Sequence, residues 1–182
     1  TVNTAPGLCT QVVTWTAPAV TDNCALDTMT CSHASGLSFS GAGSAQTTIT
    51  YTAIDSSGNT ATESFIIFVV DNELPVIVAA SDSTVECAEN NGLALSAWLA
   101  NHGGATATDN CTGDLTWTDN FSYGEEPSWI CGNTTAVEVT FTATDAKSNS
   151  SSTTASFIVE DTTAPVFDQT LPGDTTVNCE SV

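Results

Sequence analysis

Acidic and amide side chains recur in this sequence at a nearly constant interval. The recurring residues are Asp22, Asn23, Asp55 and Asp71 in the first half, and Asp109, Asn110, Asp145 and Asp161 in the second. Asp55 and Asp145 are 90 residues apart, and the tetrapeptide TDNC, which contains the Asp-Asn pair, recurs after 87. Ca²⁺ binds about six to eight oxygen ligands, several of them carboxylates. The repeated acids, together with Glu73, therefore form a candidate calcium site.

Asp and Asn at these positions have a second interpretation, which the sequence leaves open. Both residue types accept hydrogen bonds from their own backbone in turns and tolerate the left-handed conformation. The sequence contains no EF-hand loop and no calcium-binding nonapeptide repeat. Turn formation alone explains the acids, whereas calcium binding also requires that the fold bring them together.

The segments that position these acids are predicted strands. Residues 47–54 alternate between apolar and polar side chains and end at Asp55, and a polar turn leads into residues 60–70. Residues 136–144 and 153–160 repeat this pair in the second half. A strand pattern that recurs after 90 residues indicates tandem copies of one all-β domain.

The remaining predicted elements complete two units and begin a third. Further strands are expected at 11–16, 28–32, 76–78 and 83–87, with strands and turns over 105–111 and 114–121. Residues 93–100 carry apolar side chains on one helical face, which predicts one or two helical turns over the end of the second sandwich. The predicted units are 1–71, 72–161 and 162–182, the last containing only a linker and a first strand.

The charge balance excludes two classes of partner. The chain of 182 residues has 21 acidic residues and one basic residue, Lys147, for a net charge of −20. Binding to nucleic acid or to an anionic membrane surface depends on basic side chains, so we expect neither partner. A field of this sign attracts cations instead.

The cysteines and the lack of long apolar segments indicate an extracellular or cell-surface protein. Seven cysteines without a CxxC pair, in small β domains, are typical of an oxidising compartment. No stretch reaches the roughly 20 apolar residues of a membrane span. The first residues, Thr1 to Asn3, resemble a strand rather than a signal peptide. We therefore expect the mature form of a secreted chain.

Catalysis is not expected from this sequence, and sugar binding is an alternative role for its aromatic residues. His33 and His102 are the two histidines, and neither lies in a recognisable catalytic triad or metal motif. Aromatic rings stack on sugars but more often fill cores. The aromatic residues with either role are Trp15, Trp98, Trp117, Tyr123 and Trp129. The loop 122–130 is the best candidate for sugar binding.

Long stretches of both units match known repeat sequences. With TVNTAPGLCTQVVTWTAPAVTDNC, SHASGLSF and TITYTAIDSSGNTATESF, the first unit resembles the hyalin-repeat (HYR) family, an immunoglobulin-like module of secreted and cell-surface proteins. With NHGGATATDNC, VTFTATD and FIVEDTTAP, the second unit is similar to repeats in very large secreted proteins of Bacteroidetes-type bacteria. The resemblance implies tandem immunoglobulin-like β-sandwiches that act as spacers or adhesion modules.

The immunoglobulin-like fold implied by this resemblance gathers acids at one end of each sandwich. Strands B and F run in the same direction in such a fold, so the loops that follow them share an end. Asp109 is then expected beside Asp145, and the preceding linker brings Asp71 and Glu73 towards both. We expect calcium in this joint, where it would stiffen the tandem array.

The same resemblance implies a disulfide pairing. It pairs Cys9 with Cys24 and Cys87 with Cys111, and it leaves Cys31 and Cys131 unpaired. Connectivity cannot be deduced from spacing alone, and the rival pairs are Cys24–Cys31 and Cys111–Cys131. An odd count of seven cysteines leaves at least one thiol unpaired or joined to another chain.

The two ends of the sequence are complementary in their predicted strands. Residues 1–3 align with 176–178, so the first unit lacks most of its first strand, while 162–182 hold a first strand without its domain. An empty strand position is a template for strand addition, so we expect copies to form a head-to-tail homopolymer. The residues expected in this contact are Val166, Phe167, Leu171, Val177 and Cys179. A cut from a longer array is the alternative explanation.

These expectations combine into one predicted function. The chain is predicted to be an extracellular structural repeat protein, a subunit of a head-to-tail fibre or surface array with calcium at its linkers. The second prediction is a calcium-dependent cell-adhesion or glycan-binding module.

Overall fold

The computed structural model of the chain describes residues 1–43, 46–88, 91–111, 113–122, 135–167 and 173. The residues named above that lie outside these ranges are Tyr123, Trp129, Cys131, Leu171, Val177 and Cys179. Among the described residues, no helix is both long and apolar enough to cross a membrane. The described chain is built mainly of β-strands, as the sequence predicts, with one α-helix.

The first half of the chain forms a four-stranded and a two-stranded sheet. Its strands are β1 (Val2–Asn3), β2 (Thr10–Val12), β3 (Leu26–Cys31), β4 (Ser38–Ser40), β5 (Gln46–Asp55) and β6 (Thr60–Val70). The larger sheet has the order β1-β6-β5-β3, with β5 antiparallel to both of its neighbours and β1 parallel to β6. Strands β2 and β4 pair antiparallel to form the smaller sheet.

The second half repeats this layout and adds a helix. Its elements are β7 (Val76–Val78), β8 (Ser83–Glu86), α1 (Asn91–Ala100), β9 (Thr106–Thr108), β10 (Thr116–Asp119), β11 (Thr135–Thr144) and β12 (Ser150–Glu160), with a 3₁₀ turn at His102–Gly104. The larger sheet has the order β10-β11-β12-β8, and β7 pairs with β9 in the smaller one. We refer to the two halves as the first unit (β1–β6) and the second unit (β7–β12).

The strand registers confirm that the two units are copies of one design. Val2 of β1 lies opposite Val69 of β6, and Val85 of β8 lies opposite Val159 of β12. Val69 and Val159 are 90 residues apart, the interval found in the sequence. The prediction of two tandem β-sandwich units is therefore confirmed.

Each unit has its own core on the inner face of its larger sheet. The first core contains the buried residues Phe39, Ile49, Tyr51, Ile67 and Val69. The second contains Leu95, Leu99, Val139, Phe141, Phe157 and Val159. In both units the core takes every second residue of the two long strands, because successive side chains of a strand point to opposite faces.

The helix α1 packs against the face of the second sheet, which corrects the prediction that it lies over the end of the sandwich. Leu95 and Leu99 belong to the same buried cluster as Phe141 and Phe157 of the sheet. The Trp98 ring lies 5.2 Å from the Phe141 ring, centroid to centroid, in an edge-to-face arrangement. The helical pattern identifies an apolar face, but it contains no information on which surface covers that face.

Two local predictions in the first unit also differ from the structure. The strand predicted at 11–16 ends at Val12, and the stretch around Phe39, predicted as a loop, forms β4. Beyond Val12, the Ser35 hydroxyl bonds both backbone groups of Trp15: it accepts from the amide at 2.8 Å and donates to the carbonyl at 2.9 Å. A side chain thus occupies the hydrogen bonds that a neighbouring strand would make.

Candidate cation site at the joint between the units

The linker that leaves β6 starts with a buried acid. Asp71 is 3% exposed, and its Oδ1 accepts hydrogen bonds from the Glu73 amide at 3.2 Å and from the Thr4 hydroxyl at 3.5 Å. Pro75, which ends the linker, is buried as well and favours an extended conformation for the residue before it. The linker therefore delivers a desolvated carboxylate to the boundary between the units.

Two loops of the second unit face this linker, and each holds its acid by local hydrogen bonds. Asp109 precedes Cys111 in the TDNC loop, and its Oδ2 accepts from the Cys111 amide at 2.9 Å. Asp145 follows β11, and its Oδ1 accepts from the amides of Lys147 and Asn149, both at 2.8 Å. These bonds fix the direction in which each carboxylate points.

The three carboxylates line one small pocket at the joint. Its lining residues are Gly41, Gly43, Asp71, Asp109, Cys111, Gly113, Asp145, Ala146 and Lys147. The volume is about 20 Å³, which is room for one water-sized particle. Carboxylate oxygens of Asp71 and Asp109 and the Cys111 sulfur lie within 4.8 Å of one another. Because that sulfur belongs to a disulfide, the available ligand atoms of the cluster are carboxylate oxygens.

The pocket is electrostatically unfavourable as a set of free acids. Burial raises the pKa of Asp109, and the neighbouring charges of Asp71 and Asp145 raise it further. The Asp109 Oδ1 atom is buried and has no hydrogen-bond donor among the described residues. Carboxylates packed this closely need a proton or a cation between them. The pocket therefore has the electrostatic character of a cation site.

Among the described residues, four contacts join the two units around this pocket. A disulfide connects Cys9 of the first unit to Cys111 of the second, with their Cα atoms 4.6 Å apart. The other three are hydrogen bonds from side chains of the second unit to backbone carbonyls of the first unit and the linker. They run from Asn110 to Leu8 at 3.1 Å, from Asn149 to Asp71 at 3.3 Å, and from Lys147 to Gly43. The only basic side chain in the sequence thus lies in the joint.

The predicted disulfide pairs are wrong, and strand length explains why. Cys9 lies at the linker end of the first unit, where Gly41 donates to its carbonyl, whereas Cys24 lies near the turn after β5. The 11-residue strand β6 separates these ends by roughly 35 Å. Strand β12 separates Cys87 from Cys111 in the same way, because Cys87 donates to the Glu160 carbonyl at its far end.

The state of the other described cysteines follows from the same geometry. Cys24 is exposed and free, and Cys31 is free with its sulfur 2.9 Å from the His33 carbonyl. Cys87 is disulfide-bonded, though not to Cys111. The rival pairs Cys24–Cys31 and Cys111–Cys131 are therefore wrong as well.

The structure gathers only part of the predicted cation-binding set. Asp71, Asp109 and Asp145 meet in the pocket, whereas the Glu73 carboxylate turns to the first unit and accepts from the Gly7 amide at 2.7 Å. The Asn110 oxygen is buried near the joint without a donor among the described residues. Asp22, Asn23 and Asp55 lie at the opposite end of the first unit, and Asp161 lies at the end of β12.

Three glycines and a lysine of this pocket are absent from the sequence-based set. Gly41, Gly43 and Gly113 bring backbone close to the acids, and Lys147 lines the pocket with Asp145. The sequence contains one signal for Lys147, since it is the single base among 21 acids. It contains no signal for the glycines, which are common in loops.

The described tryptophans and the two histidines contact other aromatic side chains. The Trp15 indole donates to the Tyr51 hydroxyl at 2.7 Å, and Trp98 packs on the second core. Trp117 stacks on His102 with centroids 4.5 Å apart and an interplanar angle of 10°. His33 lies 6.1 Å from Phe39 between ring centroids. Residues 123–130 of the predicted glycan-binding loop lie outside the described residues.

Comparison with a family model confirms the resemblance of the first unit to the HYR family. The search of curated proteins yields no match. A solved structure, the "Protocadherin Gamma B2 extracellular cadherin domains 3-6", matches with 15% identity and a TM-score of 0.25 over 64% of this chain. The match covers 32% of the protocadherin structure, so this chain spans about a third of it. Residues 2–69, nearly the whole first unit, match the HYR domain family.

Proposed function

We propose that the chain is an extracellular structural repeat module whose joint binds a divalent cation, with Ca²⁺ as the expected ion. The observation that carries this proposal is buried Asp71 beside half-buried Asp109 and Asp145 in one pocket, with one buried Asp109 oxygen lacking any described donor. A cation removes the repulsion among these acids and supplies the missing partner of that oxygen.

The ligand chemistry favours calcium over transition metals. Hard carboxylate oxygens suit Ca²⁺ and Mg²⁺, whereas zinc and copper prefer imidazole and thiolate ligands. The pocket is lined by carboxylates from the linker and from two loops of the second unit, and the sulfur in it belongs to a disulfide. Calcium tolerates variable geometry and completes its shell with water, whereas Mg²⁺ demands near-octahedral ligands and dehydrates reluctantly. We therefore expect Mg²⁺ to bind more weakly than Ca²⁺.

The mechanical consequence is a stiff connection. Two domains joined by a small polar interface move relative to one another by default. Here the Cys9–Cys111 disulfide fixes one point of the joint, and a cation shared by Asp71, Asp109 and Asp145 fixes a second. These two constraints lie close together, since the Cys111 sulfur is within 4.8 Å of carboxylate oxygens of Asp71 and Asp109, and both oppose separation of the units. The match of residues 2–69 to the HYR domain and the disulfide itself support an extracellular spacer or adhesion role.

Thermal unfolding with and without calcium tests this function. At a calcium concentration of 100 times the Kd, binding stabilises the folded chain by about 2.7 kcal/mol, or roughly 5–10 °C in Tm. The double variant Asp109→Asn/Asp145→Asn should lose this increase. Asp22→Asn/Asp55→Asn is the matched control, because it changes the corresponding residues of the first unit outside the joint, and it should keep the increase in dilute solution.

Two outcomes would contradict the proposal. One is an unchanged Tm of the parent chain between calcium and chelator. The other is an equal loss of the calcium effect in both double variants, which would indicate non-specific screening of a chain with a net charge of −20.

A further inference from the structure

The second unit has a cavity where the end of α1 meets the strand β10. Its volume is about 290 Å³, just below the roughly 300–1,000 Å³ of sites for drug-sized ligands, so it suits a ligand of the size of one sugar ring. It is lined by Ala100 at the end of the helix, His102 of the 3₁₀ turn, and Trp117 and Asp119 of β10. We refer to it as the helix-edge cavity.

The elements that enclose this cavity are those by which the two units differ. The helix α1 and the 3₁₀ turn lie between β8 and β9, whereas the described residues of the first unit form no helix. In β10, Trp117 and Asp119 take the places that Met29 and Cys31 take in β3 of the first unit. The repeated fold therefore does not require the cavity or the residues that line it.

Asp119 is an acid at a core-facing position of the sheet. It lies opposite Phe141 of β11, whose side chain is fully buried, and opposite residues of an antiparallel pair share a face. The Asp119 Oδ1 atom accepts from the Phe121 amide at 3.0 Å, while Oδ2 makes no hydrogen bond to another described residue. A charge at such a position departs from the apolar pattern of a core, and departures of this kind are expected at functional sites. The free oxygen is available to a ligand.

His102 has a backbone conformation that histidine rarely adopts. Its φ is 52°, in the left-handed region that favours glycine. The turn places its imidazole parallel to the Trp117 indole, with centroids 4.5 Å apart and an interplanar angle of 10°. Strained backbone persists where the surroundings fix it, and it clusters at ligand sites. The stacked rings give the cavity a flat aromatic wall.

We propose that the helix-edge cavity binds one pyranose unit of a neutral glycan. An aromatic wall packs against the C–H groups of a sugar ring, and a carboxylate oxygen accepts hydrogen bonds from its hydroxyl groups. The pair His102 and Trp117 provides the wall, and Asp119 provides the acceptor. This site lies outside the loop 122–130. The inference goes beyond the cation-binding joint and does not require it.

The rest of the lining favours a polyol over an organic cation, which a single acid beside aromatic rings would also suit. Ser96 and Thr118 bring hydroxyl groups to the cavity, and these both donate and accept hydrogen bonds. β10 is the edge strand of its sheet, so its outer side presents further backbone donors and acceptors. A sugar has hydroxyl groups to match them, whereas an organic cation has few.

Saturation-transfer difference NMR of the whole chain with a panel of methyl pyranosides tests the proposal. The panel contains the methyl glycosides of glucose, galactose, mannose, xylose, fucose and N-acetylglucosamine, at millimolar concentration and in the presence of chelator. At least one of them should receive saturation from the protein, mainly at the protons of one ring face, and its titration gives a Kd. Transfer to none of them overturns the proposal.

Two variants assign the binding to the cavity. Asp119→Asn removes the charge but keeps the shape of the side chain, and His102→Asn removes the imidazole but keeps a residue that tolerates the left-handed region. Each should raise the Kd about tenfold or more. Asp114→Asn and His33→Asn make the same changes outside the cavity and should keep the parent Kd. Near-UV circular dichroism verifies folding. Unchanged binding in Asp119→Asn, or equal losses in variants and controls, overturns the proposal.

Salt and calcium separate this proposal from its rivals. The affinity for a neutral pyranoside should not depend on salt, whereas that for an organic cation falls as salt rises. If tetramethylammonium binds in this way and no pyranoside does, the cavity is a cation site. If a pyranoside binds only in calcium, its site is the joint and the proposal is wrong. Because the NMR measurement is made in chelator, failure of sugar binding leaves the calcium effect on Tm untouched, and the reverse also holds.

Discussion

Asp145 and Asp55 make the same side-chain hydrogen bonds in two turns 90 residues apart, but only Asp145 lies between two units. Each Oδ1 accepts from two amides at 2.8 Å, and each Oδ2 accepts from an Asn side chain at 2.7 Å. The turn is therefore a property of the repeat, and the acidic pocket arises where a linker acid meets it. Asp145 forms a turn and also lines the pocket, whereas Asp55 only forms a turn.

The two turns differ at three positions, and the third of these, Gly58 against Ser148, gives the first prediction. Gly58 has a φ of 85° and its counterpart Ser148 a φ of 70°, in the left-handed region where a side chain costs about 1–2 kcal/mol. Gly58→Ser should lower the free energy of unfolding by about 1 kcal/mol, and Ser148→Gly should raise it by less, because glycine gains entropy when unfolded. Urea denaturation measures the free energy of unfolding of both variants. Changes of the same sign would contradict the prediction.

The second prediction concerns whether the charge of Asp109 stabilises or destabilises the folded chain. Its folded pKa is raised above 3.8, so between these two values the folded chain binds more protons than the unfolded chain. In chelator, Asp109 therefore lowers the free energy of unfolding when the pH rises through its folded pKa, and this loss is recovered when the pH falls. Asp109→Asn should raise the Tm at pH 7 in chelator, and this gain should shrink in acid.

Calcium should reverse the sign of that effect. A bound cation favours the charged form of Asp109, so Asp109→Asn should lower the Tm in calcium and weaken calcium affinity by roughly tenfold or more. Asp22→Asn is the control, because Asp22 caps the corresponding loop of the first unit. An Asp109→Asn variant that shifts Tm in the same direction in calcium and in chelator would exclude the cation site.

Features that depend on a local pattern or on the repeat are predictable from the sequence. The strand predicted at 60–70 coincides with β6, since alternation and turn residues are local signals. The proximity of Asp71, Asp109 and Asp145 is predictable because the implied fold places the two loops and the preceding linker at the same end of the second unit. Glu73 was misplaced, since its direction depends on the Gly7 amide of a loop distant in sequence.

Other features depend on which residues lie close together in space, and the spacing of residues in the sequence does not give this. The disulfide of Cys9 with Cys111 crosses 102 residues, because the linker stacks the end of one unit on the loops of the next. Pairing within a unit requires cysteines at the same end of an 11-residue strand, and the sequence gives no rule for that. The sequence likewise does not predict which surface α1 covers, because an apolar helical face can pack on an end or on a face of the sandwich.

The third prediction separates the two faces of α1. Leu99 is 7% exposed within the second core, whereas Leu93 is 75% exposed on the same helix. Leu99→Ala should lower the free energy of unfolding by about 2–5 kcal/mol, through lost burial and a residual cavity. Leu93→Ala, with the same change in side chain, should stay within about 0.5 kcal/mol of the parent. If both variants lose equally little free energy of unfolding, the helix does not belong to the core.

The fourth prediction assigns the stiffness of the joint to its covalent link. Cys9→Ser/Cys111→Ser opens a loop of 102 residues, which should cost about 2–5 kcal/mol of stability. In chelator it should also broaden the distribution of distances between spin labels placed on the two units. Cys24→Ser removes a free, exposed thiol and should change neither quantity. Calcium should narrow the distribution again in the double variant, because the carboxylates remain. If the distribution stays narrow in chelator without the disulfide, the hydrogen bonds from Asn110, Lys147 and Asn149 are sufficient to hold the joint, and the disulfide stabilises the chain without setting its shape.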